Sequence, residues 1–246
     1  MSVAAILGAG PIGAAIAHKL AGRARVREVK LIDASASVAA GKALDISQSG
    51  PIESFDTRVS SSGDVLAAIG ASVIVVADEV ADGEWEGDRG LAMMRQLVRA
   101  GAVSPIVFAG PKQIWLMEAC WRELKVPASR LFGTAPSAMV GVVRALTGLE
   151  LNLSSVEVTV TGRPPALVIG WPTATAGGAL VTDRVPAHVL LRITETMRKL
   201  WPPGPQAIAA PTAQFVEALI FGSRRVHPVL KVVEDPKLGE RGTAVM

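Results

Sequence analysis

The chain is poor in the residues from which many active sites are built, with one cysteine, Cys120, and three histidines, His18, His188 and His227, in 246 residues. A lone cysteine excludes an internal disulfide, and no CxxC or Cys/His cluster offers a zinc site, so no metal is expected. The histidines are scattered, on the first helix, on a later helix and at a strand entrance, and read as structural. No apolar run reaches the ~18 residues that would span a bilayer. The apolar N-terminus, MSVAAILGAGPIGAAIA, has no basic n-region and is broken by Gly8, Gly10, Pro11 and Gly13, which argues against a secretory signal. Basic clusters are also missing: 25 basic residues against 22 acidic give a net charge of +3, spread along the chain. Neither nucleic acid nor membrane is therefore an expected partner, and a cytoplasmic location is the expectation.

What is present is a large apolar fraction, 50% against 19% charged, ample for a core of one or two domains. Short branched apolar runs alternate with helix-length amphipathic stretches, which predicts a parallel sheet covered by helices. Strands are predicted at Val3 to Leu7, Val29 to Ile32, Thr57 to Ser61, Ser72 to Ala77, Pro105 to Ala109 and Arg130 to Gly133. Helices are predicted near Ile12 to Ala21, Ala36 to Ser47, Arg89 to Val98 and Lys112 to Leu124. After Ser137 come a helix to Thr147, a β-rich run from Val156 to Gly170, helices near Pro186 to Leu200 and Pro211 to Phe221, and a strand from Val226 to Val233. The expected fold is α/β, a doubly wound parallel Rossmann sheet in residues 1–136 followed by a second, smaller α+β domain in residues 137–246. No long linker separates them, so the two parts should pack tightly.

Gly8-Ala9-Gly10-Pro11-Ile12-Gly13 is a GxGxxG that follows a predicted strand and opens a helix. Its backbone amides and the helix N-terminus would face a pyrophosphate. Asp33 lies 20 residues after Gly13, at the end of the next strand, where a carboxylate accepts hydrogen bonds from both adenosine ribose hydroxyls. A carboxylate there repels a 2′-phosphate, and Ala34 and Ser35 supply no arginine to hold one, so NAD(H) is expected over NADP(H). The plain alternative is that the glycines only allow close helix–strand packing and Asp33 only caps the next helix.

These motifs, with Gly41-Lys42-Ala43-Leu44-Asp45-Ile46, Gln48-Ser49-Gly50-Pro51, Arg130-Leu131-Phe132-Gly133, Ala210-Pro211 and Arg224-Arg225-Val226-His227-Pro228-Val229, resemble the malate/lactate dehydrogenase family, closer to its malate side. The resemblance runs the length of the chain. It implies cofactor contacts from Gly8, Gly10, Pro11, Ile12, Gly13, Asp33 and Ala77, and a homodimer or homotetramer. It also implies a histidine that exchanges a proton with substrate, an aspartate that orients it, and an arginine that clamps the substrate carboxylate. At those positions this sequence has Pro164, Pro136 and Met139, and Gly110 stands where the family's substrate-holding asparagine would be. The mobile-loop arginines fall near Ala81 and Gly87, with Arg89 the nearby cation. Arg144 is five residues beyond Met139 and faces elsewhere on the helix, and Arg163 adjoins the lost base. No catalytic residue is assigned.

The family's strand-four end is glycine-rich, whereas here Ala77-Asp78-Glu79 would crowd or repel the pyrophosphate. The segment Asp78 to Asp88 should cover the pocket, carries Asp78, Glu79, Asp82, Glu84, Glu86 and Asp88 with no basic residue among them, and offers Trp85 for stacking. A solvated acidic loop is the simpler expectation. Trp115, Cys120 and Trp121 are expected to pack in a core or interface. The family carries further strands and a helix beyond the position of Met246, so the C-terminal domain is either reduced or incomplete in this sequence. Three functions remain open: an NAD(H)-binding relative without malate or lactate turnover, with a sensor or assembly role; an active NAD-dependent oxidoreductase on a neutral or cationic alcohol or carbonyl; and a structural Rossmann protein without ligand.

Overall fold

The computed structural model describes residues 2–235 and 240–245. The chain runs β1 (Val3–Leu7), α1 (Pro11–Gly22), β2 (Glu28–Ile32), α2 (Ala36–Glu53), β3 (Arg58–Ser62) and β4 (Val73–Val76), then a short hairpin of β5 (Asp78–Glu79) and β6 (Gly83–Glu84). There follow α3 (Gly87–Arg99), β7 (Ile106–Phe108), α4 (Ile114–Arg122), β8 (Leu131–Gly133) and α5 (Ala135–Leu151). The remainder is β9 (Val156–Glu157), β10 (Val160–Arg163), β11 (Ala166–Ile169), β12 (Thr175–Ala176) and β13 (Ala179–Leu180), then α6 (Ala187–Lys199), α7 (Pro205–Phe221), β14 (Leu230–Asp235) and β15 (Glu240–Val245).

Ten strands form one sheet in the order β11-β10-β15-β14-β8-β7-β4-β1-β2-β3. The six from β8 to β3 are parallel, and β14, β15, β10 and β11 extend the sheet antiparallel beyond β8. A separate three-stranded sheet of β13, β12 and β9 lies in the C-terminal part. The parallel half has the doubly wound order, whose direction reverses between β1 and β4. Ligands of such sheets bind outside the carboxyl ends of the strands at that switch point, and there Gly8 and Ala77 sit.

The central strands are buried throughout because helices cover both faces. Along β4 the branched side chains alternate: Ile74 and Val76 pack with Leu91, Met94, Leu97 and Leu116 from α3 and α4. Val73 and Val75 pack on the other face with Ile16 and Leu20 of α1 and with Ile208 and Val216 of α7. Helices α1 and α7 are also tied by charge. Arg23, on the cap of α1, donates to both carboxylate oxygens of Glu217 at 2.6 and 2.9 Å, and Arg25 adds a third contact at 3.3 Å.

The parallel strands and first four helices fall within a few residues of expectation, except at the end of α2. There the helix runs on through Pro51 to Glu53 instead of stopping near Ser47. Likewise α7 starts at Pro205, not Pro211. Proline pre-sets the first turn of a helix, and Ile208, Ala209, Thr212, Ala213 and Val216 bury one face on both sides of Pro211, which holds the helix through it. The last predicted strand begins at Leu230, after an irregular stretch from Val226. The hairpin β5–β6 was not expected at all. The change of pattern at Pro136 falls in the first turn of α5, which continues unbroken to Leu151.

Because Glu217 is 2% exposed and its charge is met by Arg23 and Arg25, Glu217→Ala should lower the unfolding free energy by about 2 kcal/mol. Urea denaturation measures this, and a loss below about 0.5 kcal/mol, the level of a surface pair, would remove the tie's structural role.

Candidate functional site

The first turn of a helix carries backbone N–H groups with no intrahelical partner. In α1 these belong to the glycine turn: Gly10 caps the helix without a side chain, and Pro11 has no N–H. The remaining donors are all met by Asp78. The Gly10 N–H donates to the Asp78 carbonyl at 2.7 Å. The Ile12 and Gly13 N–H groups donate one each to its two carboxylate oxygens, at 3.1 and 2.8 Å. Asp78 therefore acts as an N-cap supplied from 65 residues away in sequence, and its negative charge sits at the positive end of the helix.

The glycines fit this arrangement closely. A Cβ on Gly10 would lie 2.5 Å from the Asp78 carboxylate, and one on Gly8, whose φ is +112°, would lie 2.2 Å from the Asp78 carbonyl oxygen. Gly13 is needed for a different reason, since a Cβ there would strike the Gly8 carbonyl at 2.0 Å. The turn is thus shaped by helix–strand contact at Gly13 and filled by Asp78 at Gly8 and Gly10. Ala77 is buried, its N–H bonded to the Leu7 carbonyl, while Ile12 lines the turn and Pro11 is exposed.

Asp33, expected to face the ribose, is 3% exposed. Its Oδ2 accepts from the N–H of Ala9 at 2.9 Å and of Val80 at 3.0 Å, and its Oδ1 accepts from Ser35 at 2.8 Å. Ala9 and Ser35 belong to the turn and the start of α2, but Val80 belongs to the hairpin. A dinucleotide on this turn would need the N–H groups and the space that Asp78 takes. With the hairpin docked, the residues present do not fit NAD(H).

The acidic segment is neither uniformly solvated nor uncompensated, as the sequence suggested. Asp78 and Glu79 are both 6% exposed. Glu79 is ion-paired with Arg89, which also reaches Asp82 at 3.5 Å and donates to the Glu84 carbonyl at 3.0 Å. Lys112 pairs with Glu86 at 3.4 Å. Trp85 is not open to a ligand: its Nε1 donates to the Leu7 carbonyl, and the Arg89 guanidinium lies 4.8 Å from its ring centre. The Glu84 carboxylate accepts from the Lys112 N–H at 2.8 Å and lies against Gly110, where a Cβ would come within 2.1 Å of it. Lys42, whose Nζ donates to the Ala9 carbonyl at 2.5 Å, ties α2 to the turn. Gln113, fully buried, bridges the Gly110 N–H and the Ala77 carbonyl. Gln113 carries no signal in the sequence, and Lys42 stands there only within a family motif with no role attached.

Met139 is fully buried in the core and Arg144 is exposed on the same helix. Pro164 is buried, and Arg163 pairs with Glu118 at 3.1 Å. Between Gly110, Gln113, Gly133, Pro136, Trp201 and Leu230 remains a cavity of about 10 Å³, the space of one water molecule. His18 pairs with Glu53 on the surface, His188 is exposed, and His227 packs edge-on against Phe215. Cys120 is buried, and burial pushes its thiol up to about 12. Trp121 is partly buried, but Trp115 is 44% exposed and not a core residue, as the turn of α4 carries it outward. Among the described residues no helix is long and apolar enough to cross a membrane, and no group of three or more His, Cys, Asp or Glu is placed to hold a metal.

An N-cap contributes about 1–2 kcal/mol, so Asp78→Ala should destabilise the fold by that amount in urea titration. Asp82→Ala, whose carboxylate is 65% exposed, should cost no more than about 0.5 kcal/mol; equal effects would sink the capping role. Glu84 gives a pH dependence. Burial chiefly pushes its carboxyl up from 4.5 to about 7, with the charges of Glu86 and Asp78 adding and the Lys112 N–H and ammonium opposing. The folded chain thus holds this proton to higher pH than the unfolded one, so the contribution is favourable at low pH and is lost as pH rises from 4.5 through about 7. Melting temperatures of Glu84→Gln should gain on wild type across that window, and parallel curves would contradict the shift.

Residues 2–90 match the lactate/malate dehydrogenase, NAD binding domain family. Over 268 aligned residues the chain is 28% identical to a malate dehydrogenase of Thioalkalivibrio sulfidiphilus, covering all of this chain and 86% of that protein. It is 29% identical to a malate dehydrogenase of Thermomicrobium roseum over 90% of this chain and 78% of that one. Among solved structures, the malate dehydrogenase of Salinibacter ruber superposes with a TM-score of 0.84 at 22% identity, over 99% of this chain and 84% of that one. The lactate dehydrogenase of Cryptosporidium parvum, complexed with lactic acid and nicotinamide adenine dinucleotide, gives 0.87 at 16% identity, over 99% and 85%. Sequence and fold together relate this chain to the malate/lactate dehydrogenase family, with that family's NAD-binding domain matched in residues 2–90.

Proposed function

We propose that this chain is an NAD(H)-type relative of the malate/lactate dehydrogenases that does not turn over malate or lactate. The observation that carries the reading is the character of three positions. Where the resemblance puts the proton acceptor, its orienting carboxylate and the substrate clamp, the chain has a buried Pro164, Pro136 in the first turn of α5, and a fully buried Met139. None of these holds a proton or a carboxylate. The cations that remain nearby are engaged, Arg163 with Glu118 and Arg89 with Glu79. The cavity beside Pro136 has room for one water, not for a hydroxy acid. NAD(H) is the cofactor of the matched domain, and Asp33 favours it over NADP(H). A sensor or assembly role, as a homodimer or homotetramer, is part of this proposal.

A second reading, an active NAD-dependent oxidoreductase on a neutral or cationic alcohol or carbonyl, draws on Glu84. Its carboxyl, pushed up to about 7 and set against Gly110, has the acidity of a general acid–base at neutral pH.

Purified protein should form no NADH from malate or lactate above buffer, and Pro164→His should not restore it. That imidazole would have neither an orienting aspartate nor a substrate clamp, and an arginine at position 139 would bury a charge in the core. General acid–base work alone contributes ~10²–10⁴ in rate. Robust wild-type turnover of either acid would overturn the proposal. Turnover of another alcohol or carbonyl that is lost in Glu84→Gln would favour the second reading.

A further inference from the structure

We infer that the β5–β6 hairpin is a strap whose Asp78 carboxylate stands in for the dinucleotide pyrophosphate, so that hairpin docking and NAD(H) binding exclude one another. The inference rests on the NAD(H) assignment of the preceding subsection and says what that site must do before it can be filled.

The hairpin takes both recognition points at once. At the phosphate end, an anion already lies on the N–H groups of Ile12 and Gly13, the place where a helix N-terminus binds phosphate. At the ribose end, the Val80 N–H holds Asp33 Oδ2. The two contacts come from residues two apart on one short segment, so one movement releases both.

The segment is built to dock and to leave. Its tip, Val80 to Gly83, is exposed. Gly83 and Gly87 have φ of +71° and +53°, and a Cβ at either would meet nothing within 4 Å. Left-handed backbone, not close packing, is what glycine supplies there. Its polar fastenings are Arg89 on Glu79, Trp85 Nε1 on the Leu7 carbonyl, and Glu84 on the Lys112 N–H, and the Trp85 ring also packs against the core. Beneath it the turn keeps its shape without the hairpin, because the contact of Gly13 with Gly8 does not involve it. Displacement would leave a formed phosphate seat. The apparent affinity for NADH is then the intrinsic one reduced by the fraction of molecules with the hairpin undocked.

Two measurements test this in the full chain, NADH titration by calorimetry and backbone amide exchange. Asp78→Gly should bind NADH at least about tenfold more tightly than wild type, with Asp78→Asn between them. Without ligand the Ile12 and Gly13 amides should both lose protection in Asp78→Gly and one of the two in Asp78→Asn, whose side-chain amide keeps a single acceptor oxygen. In wild type, NADH should raise the exchange of the Val80 amide while protecting the turn. Equal NADH affinity in wild type and both variants overturns the inference. So does NADH binding that leaves the hairpin amides as protected as before. If Asp78→Gly fails to fold, Asp78→Asn and the wild-type exchange experiment still decide. No binding by any of the three proteins at millimolar NADH overturns the inference together with the cofactor assignment. Malate turnover by wild type alongside the expected hairpin behaviour sinks only the functional reading.

Discussion

A helix that begins on glycine and proline presents bare N–H groups and supplies nothing of its own to meet them. In α1 that deficit is unavoidable: Gly10 has no side chain, Pro11 no donor, and Gly13 cannot be replaced without striking the Gly8 carbonyl. Such a turn is stabilised by an anion from elsewhere. Here the anion is internal, a carboxylate at the end of β4, and much of the local structure follows from placing it there. The chain must turn sharply after Ala77 to deliver it, which makes the hairpin; the hairpin then brings Val80 to Asp33 and Glu84 to Lys112.

The charges around the cleft follow the same rule of internal satisfaction. Carboxylates and cations that the sequence leaves looking free are paired within the chain: Glu79 with Arg89, Glu86 with Lys112, Glu118 with Arg163, Glu217 with Arg23. The ring of Trp85 is covered by Arg89. A site that recognises a charged substrate keeps such groups unpaired until the substrate arrives. This one has few to offer, which agrees with a core residue at position 139 and a one-water cavity beside Pro136.

The parallel sheet was legible because short apolar runs such as Val73 to Val76 have one physical use, burial on both faces. The glycine turn and Asp33 fall where the sequence placed them, directly after β1 and β2. The hairpin was not legible, since two-residue strands fall below any period a sequence can display. An acidic run usually faces water, and nothing in the residues says that Asp78 fits the end of a helix 65 positions earlier. What the sequence did expose was the conflict itself, an acid where the family resemblance implies glycine beside the phosphate. Its outcome, substitution and not mere repulsion, needed the geometry. Pro211 misled for a related reason: a proline signals a helix boundary locally, but packing on both sides of it carries α7 through.

The lone thiol has a consequence of another kind. Cys120 is fully enclosed and holds its proton up to about 12, so at neutral pH almost none of it is thiolate and alkylating reagents have no target. The chain is in effect a cysteine-free background supplied by nature. A single cysteine placed at the exposed Asp82 would carry a fluorophore or spin label alone, and distances from it would follow the tip directly.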